Sequence, residues 1–129
     1  MFTVLLVDDD DALRELMQIG LGDYHVIESR DASGALSILR SQHGKIDLLL
    51  VDAGLPDLKG WDLANLARQL RPGIKCVIIS GNPVGSDSAP HRFLAKPFQL
   101  TELHALVTEV LGASEDECGD GQRQAVDEA

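Results

Sequence analysis

The stretch "VLLVDDDDALREL", Val4 to Leu16, runs four aliphatic residues straight into four carboxylates, Asp8, Asp9, Asp10 and Asp11. Like charges about 4 Å apart repel by a few kcal/mol at a protein-like effective dielectric. Solubility alone does not require them to be stacked at the end of a hydrophobic strand. The apolar run, with Thr3, reads as a short strand buried on both faces (3–7). The residues after the carboxylates, "ALRELMQIGL" (12–21), place Leu13, Leu16, Met17 and Leu21 on one stripe of an amphipathic helix. Asp9, Asp10 or Asp11 caps its start, acidic residues there favour the helix dipole, and Gly22 ends it.

The same alternation continues outward. "YHVIES" (24–29) is a weaker strand, followed by "DASGALSILRSQ" (31–42), a helix with Asp31 as N-cap and Ala35, Leu36 and Leu39 inward. "IDLLLVD" (46–52) is a third strand, and "DLKGWDLANLARQLR" (57–71) carries a helix stopped by Pro72-Gly73. "IKCVIIS" (74–80) and "RFLA" (92–95) are the fourth and fifth strands. "QLTELHALVTEVLG" (99–112) is a last helix with Leu103, Leu106, Val107 and Val110 on one face. Continuous apolar strands separated by helices imply a parallel sheet covered on both sides. The expected fold is α/β: a doubly wound, flavodoxin-like, five-stranded sheet of order 2-1-3-4-5. In such sheets ligands bind beyond the carboxyl ends of the strands.

Chemistry-bearing residues stand at those ends. The first strand ends in Asp8-Asp9, the third in Asp52, the fourth in Ser80, and the fifth leads into Lys96-Pro97. Clustered carboxylates make a hard oxygen site suited to Mg²⁺, which relieves their repulsion. Lysine supplies a point charge for an anion and serine a hydrogen-bond donor. Aspartate is a nucleophile for phosphate, so the set suits holding a phosphoryl group on a carboxylate.

The pieces "VLLVDDDDALR", "LLLVDAGLPDLKGWDL", "CVIISG" and "FLAKPF" together resemble a response-regulator receiver domain of two-component signalling, over about residues 3–112. The resemblance implies that Asp52 is the phosphoacceptor, with Asp8 and Asp9 as the acidic pair of a Mg²⁺ site. Gly54 would offer its backbone carbonyl to the metal. Ser80 would bond a phosphoryl oxygen and Lys96 would neutralise the phosphoryl charge. A cis peptide is expected at Lys96-Pro97. Phe93 stands where an aromatic switch residue lies, with plain core packing as the alternative. The implied partner is a histidine kinase or histidine phosphotransfer protein, and a weak homodimer remains open. The chain itself would assist its own phosphorylation and dephosphorylation and would not be an enzyme acting on a separate substrate. A pseudo-receiver that binds partners without phosphorylation is the alternative. A haloacid-dehalogenase-type phosphohydrolase is disfavoured, because its second Asp would fall at Gly54.

Only 15 residues, "GNPVGSDSAPHRFLA", separate Ser80 from Lys96, and Pro83, Gly85 and Pro90 break them up. The helix expected between the fourth and fifth strands is therefore short or missing. The domain is read as residues 1–112, with 113–129 an acidic, disordered tail that carries half of the formal charge of −10. An acidic body argues against direct nucleic-acid binding. The chain offers no apolar run of membrane-span length and no signal peptide, which points to a cytoplasmic protein. Cys76 sits in an apolar run and reads as core. Trp61, after Gly60, reads as partly exposed packing on the third helix. His25, His43, His91 and His104 share no metal-ligand spacing.

Overall fold

The computed structural model describes residues 2–41, 44–81 and 92–118. Its elements follow in the order β1 (Thr3–Val7), α1 (Asp11–Gly20), β2 (His25–Ser29), α2 (Ala32–Arg40), β3 (Leu48–Asp52), α3 (Gly60–Leu70), β4 (Lys75–Ser80), β5 (Arg92–Ala95) and α4 (Leu100–Cys118). The five strands form one parallel sheet in the order β2-β1-β3-β4-β5. This is the flavodoxin-like arrangement that the apolar runs imply. The segment in which a helix between the fourth and fifth strands was expected to be short or missing, from Asn82 to His91, lies outside the described residues.

The alternation of side chains along each strand divides the core into two halves. Leu5, Val7, Leu49, Val51 and Ile78 face α2 and α3, where Ala35, Leu39, Leu63, Ala64 and Ala67 cover them. Val4, Leu6, Leu48, Leu50, Val77 and Ile79 face the other way, onto Met17 and Leu21 near α1 and Leu103, Val107 and Leu111 of α4. Each fully buried aliphatic side chain contributes about 2 kcal/mol of transfer free energy. β2 and β5 are the edges, and their partly exposed patterns explain why they are the least apolar strands. Cys76 is buried, with its Sγ 3.8 Å from the Ala64 carbonyl, and burial pushes its thiol up to about 12. It is core, as its apolar neighbours imply.

Several boundaries differ from the sequence expectation. Leu16, placed on the buried stripe, is 47% exposed; of the other stripe residues Met17 and Leu21 are fully buried and Leu13 packs partly against the core. Gly22 does not end α1 in a left-handed conformation. The helix closes on the N–H of Leu21, which bonds to the carbonyls of Gln18 and Met17, and Leu21 is itself fully buried. α4 continues to Cys118, past Gly112, so the boundary between domain and tail drawn there does not coincide with a helix end. One interior glycine costs a helix only about 1 kcal/mol relative to alanine, too little by itself to terminate it.

Gly60 opens α3 against the backbone of the β3–α3 loop. A Cβ at this position would lie 2.6 Å from the Asp52 carbonyl oxygen and 2.7 Å from Ala53 Cα. Neither atom belongs to a flexible side chain that could move aside. Its N–H donates to the Ala53 carbonyl at 2.9 Å. Gly60→Ala is expected to destabilise the fold by about 2–3 kcal/mol, read as a lower urea midpoint with an unchanged slope. An unchanged midpoint would mean that the loop yields freely.

Candidate functional site

The site is built at the carboxyl edge of the sheet, where β1 and β3 are neighbours and run in register from Val4 opposite Leu48 to Val7 opposite Val51. The next residues, Asp8 and Asp52, therefore emerge side by side. The Asp8 N–H donates to the Ser29 carbonyl at 3.1 Å, which holds its backbone at the strand end. Its Oδ1 accepts the Asp10 N–H at 2.9 Å, and this local bond turns the chain out of the sheet. Asp10 then caps α1, accepting the Leu13 N–H at 3.1 Å. Asp11 lies in the first turn and pairs with Arg14 at 2.7 Å. The four consecutive carboxylates thus part in two directions: Asp8 and Asp9 lie beside Asp52, while Asp10 and Asp11 stand at the start of α1.

One carboxylate oxygen from each of Asp8, Asp9 and Asp52 lies within 4.8 Å of the other two. Asp8 and Asp52 are buried and Asp9 is exposed, so the cluster opens to solvent on one side. Lys96 enters from the end of β5. Its Nζ donates to Asp52 Oδ1 at 2.6 Å. Asp52 Oδ2 accepts the Gly54 N–H at 3.1 Å. Ser80, also buried, ends β4, and its carbonyl accepts the Lys96 N–H at 2.8 Å, which fixes the lysine backbone beside the fourth strand. The Lys96-Pro97 peptide is cis. The structure therefore brings Asp8, Asp9, Asp52, Gly54, Ser80 and Lys96 to one edge. Phe93 stands apart, half-buried on β5, with its ring 5.8 Å from that of Trp61 and edge-on to it. Among the described histidines, His104 pairs with Asp23 at 3.0 Å, away from this edge.

The electrostatics follow from burial and charge. Burial is the largest influence on Asp8 and raises its carboxyl above the usual range. The bond from the Asp10 amide opposes this, and the charge of Asp52 adds to the rise. For Lys96, desolvation is the largest single influence and works downward. The Asp52 hydrogen bond, with the charges of Asp52, Asp8 and Asp10, outweighs it and holds the ammonium above its usual range. Asp8 Oδ2 is buried with no hydrogen-bond partner among the described residues. A buried carboxylate oxygen without a donor is costly. An all-oxygen donor set with one such orphaned atom fits a hard divalent cation, Mg²⁺, held by Asp8, Asp9 and Asp52.

Two contributors escape sequence inspection. Arg14 donates to the Asp8 carbonyl at 2.8 Å and to Glu28 at 2.9 Å, so it braces the acidic turn from the α1 side. Its i,i+3 spacing from Asp11 was a visible signal for half of this arrangement. Asp57 reaches from the β3–α3 loop to α2, a contact that no local pattern announces.

Comparisons with known proteins point the same way. The family model described as "response regulator receiver domain" matches residues 4–108. The sensor kinase CckA of Brucella abortus is 32% identical over 84% of this chain, which spans 12% of that kinase. The response regulator receiver protein CpdR of the same organism is 30% identical over 86% of this chain and 98% of its own length. The solved structure of a CheY-like response regulator receiver domain protein from Methanospirillum hungatei JF-1 superposes with a TM-score of 0.78. It is 26% identical, covering 91% of this chain and 98% of its own.

The raised Asp8 carboxyl fixes a pH dependence. A group whose folded value exceeds its unfolded one stabilises the fold below the unfolded value, and that contribution is lost as pH rises through the folded value. Ionised Asp8 is thus a burden on the metal-free protein. Asp8→Asn, without metal, is expected to raise the urea midpoint near neutral pH, with the gain over wild type closing below about pH 4. A variant no more stable than wild type near neutrality would contradict this.

Proposed function

The chain belongs to the response-regulator receiver family of two-component signalling, and on that premise we propose that it is a Mg²⁺-dependent phosphoacceptor in which Asp52 takes a phosphoryl group from a partner's phosphohistidine. The observation that carries this reading is the meeting of Asp8, Asp9 and Asp52 within 4.8 Å while Lys96 holds Asp52 Oδ1 at 2.6 Å. Lys96 and Gly54 each occupy one acceptor direction on the Asp52 carboxylate, which orients it and leaves lone pairs for attack.

In the transfer, an Asp52 oxygen forms a bond to phosphorus while the phosphorus–nitrogen bond of the donor breaks. The imidazole leaves with that electron pair and takes up a proton. Lys96, already charged and in place, faces the charge gathering on the equatorial oxygens. The Ser80 hydroxyl, at the end of β4, is assigned to a phosphoryl oxygen. Mg²⁺, held by Asp8, Asp9, Asp52 and the Gly54 carbonyl, would supply the remaining charge neutralisation. Water later attacks phosphorus, the bond from phosphorus to the Asp52 oxygen breaks, and inorganic phosphate leaves as the carboxylate is restored. The protein assists both steps on itself and converts no separate substrate.

The donor is assigned to a histidine kinase or histidine phosphotransfer protein, met in the cytoplasm. An apolar rim supports a protein donor: Leu13, the half-exposed Leu16, Pro97 and Phe98, together with Lys96, line a hollow of about 330 Å³. Phe93, held edge-on by Trp61, is assigned to report the phosphorylated state. The acidic residues after Ala113 are assigned no part in the chemistry.

Incubation of the chain with acetyl phosphate, followed by intact mass, tests the proposal. Wild type is expected to gain one phosphoryl group with Mg²⁺ and about a hundredfold less without it. Asp52→Asn is expected to gain none. No gain by wild type would overturn the phosphoacceptor reading and favour a pseudo-receiver.

A further inference from the structure

Asp57 lies outside the carboxylate cluster, in the loop between β3 and α3, and its side chain leaves that loop altogether. Its Oδ1 accepts the Ala32 N–H at 3.0 Å and its Oδ2 accepts the Ser33 N–H at 2.9 Å. These are the first two amides of α2. The helix's own cap, Asp31, takes only the third, the Gly34 N–H, at 2.8 Å. α2 has no acidic residue in its first turn. A helix start presents unpaired amides and a partial positive charge. Asp57 supplies the missing anion from 24 and 25 residues away. The amides of Ala32 and then Ser33 hold its carboxyl below the usual range, so the contact is a charged one across the neutral region.

The same loop carries Gly54. Its base is closed by an antiparallel bridge between Gly54 and Lys59 and by the Gly60 N–H on the Ala53 carbonyl. Leu55 anchors one side in the core. Asp57 sits at the outer end, where it is exposed and where its bonds to α2 are the polar tie that the described residues show. A loop fixed at its base and free at its tip can hinge. Tied at both, it holds the Gly54 N–H against Asp52 and fixes the direction of the Gly54 carbonyl.

We propose that Asp57 is a positioning residue: by binding the first two amides of α2 it locks the acceptor loop, and with it Gly54, in the geometry that the Asp52 site requires. Its effect on metal rests on the Mg²⁺ reading above; its effect on the loop does not.

The test compares Asp57→Ala, Asp57→Asn and Asp31→Ala in the full chain. Asp31→Ala removes a cap from the same helix without touching the loop, so it reports loss of α2 stability alone. In metal-free protein, amide hydrogen exchange across residues 53–59 is expected to rise about fivefold or more in Asp57→Ala and to stay at the wild-type level in Asp31→Ala. Mg²⁺ affinity by calorimetry is expected to fall about tenfold in Asp57→Ala, the low end for losing a residue that orients a ligand, and not in Asp31→Ala. Asp57→Asn keeps one acceptor oxygen and should fall between. Wild-type exchange across 53–59 in Asp57→Ala would overturn the proposal, as would equal effects of Asp57→Ala and Asp31→Ala on that segment. Wild-type protein that binds no Mg²⁺ would count against the metal reading, while the exchange arm would still decide this one.

Discussion

Three carboxylates held within 4.8 Å of one another at the end of a buried sheet set the terms for everything around them. At an effective dielectric of about 20, each like-charged pair at that separation costs about 3–4 kcal/mol. One positive charge, Lys96 on Asp52, offsets part of this. Asp8 is left buried with an oxygen that no described donor reaches. Such an arrangement persists only because the surrounding structure over-determines it. The parallel β1–β3 register delivers Asp8 and Asp52 side by side, and the Asp8–Asp10 turn prevents Asp8 from swinging out to solvent.

The stability that carries this cost lies in the two apolar halves of the core. Both faces of the central strands are covered, so their side chains are almost wholly aliphatic and their backbone groups are paired along the sheet. The polar residues appear where the pairing runs out, at the carboxyl ends. Gly60 lets α3 start directly against the Asp52 and Ala53 backbone, which any side chain would push away. The Ser80 carbonyl takes the Lys96 N–H and brings the lysine to the same edge from the far side. The chemistry of the site is thus inseparable from the topology that makes four consecutive strand ends converge.

Most of this was legible in the residues themselves. "VLLV", "LLLV" and "CVII" are too uniformly apolar for surface strands, and the carboxylates and serine that follow them stand together at the carboxyl edge of the sheet. Asp31 reads as a cap from its position before an amphipathic run, and it does accept a helix amide; for the first helix the position leaves Asp9, Asp10 and Asp11 open, and the structure gives the role to Asp10. The misses have physical causes. Leu16 fits a helical stripe by spacing, but it falls on the solvent side of Leu13, Met17 and Leu21, which pack on the core. Gly112 resembles a helix stop, yet one glycine does not outweigh its neighbours. Asp57 on α2, and Arg14 in its bonds to Asp8 and Glu28, act over distances that periodicity cannot encode. Asp57 in particular sits in a turn segment where a carboxylate ordinarily serves its own backbone.

An acidic edge with this geometry suits a divalent cation. Calorimetric titration of the full chain with Mg²⁺ near neutral pH, beside Asp9→Asn, decides whether it binds one. Asp9 is the exposed member of the cluster, so its loss leaves the core intact. Saturable binding of one ion per chain is expected in wild type, and its loss, or a weakening of at least about tenfold, in the variant. Binding of equal strength in the two proteins, or no saturable binding in wild type, would contradict it.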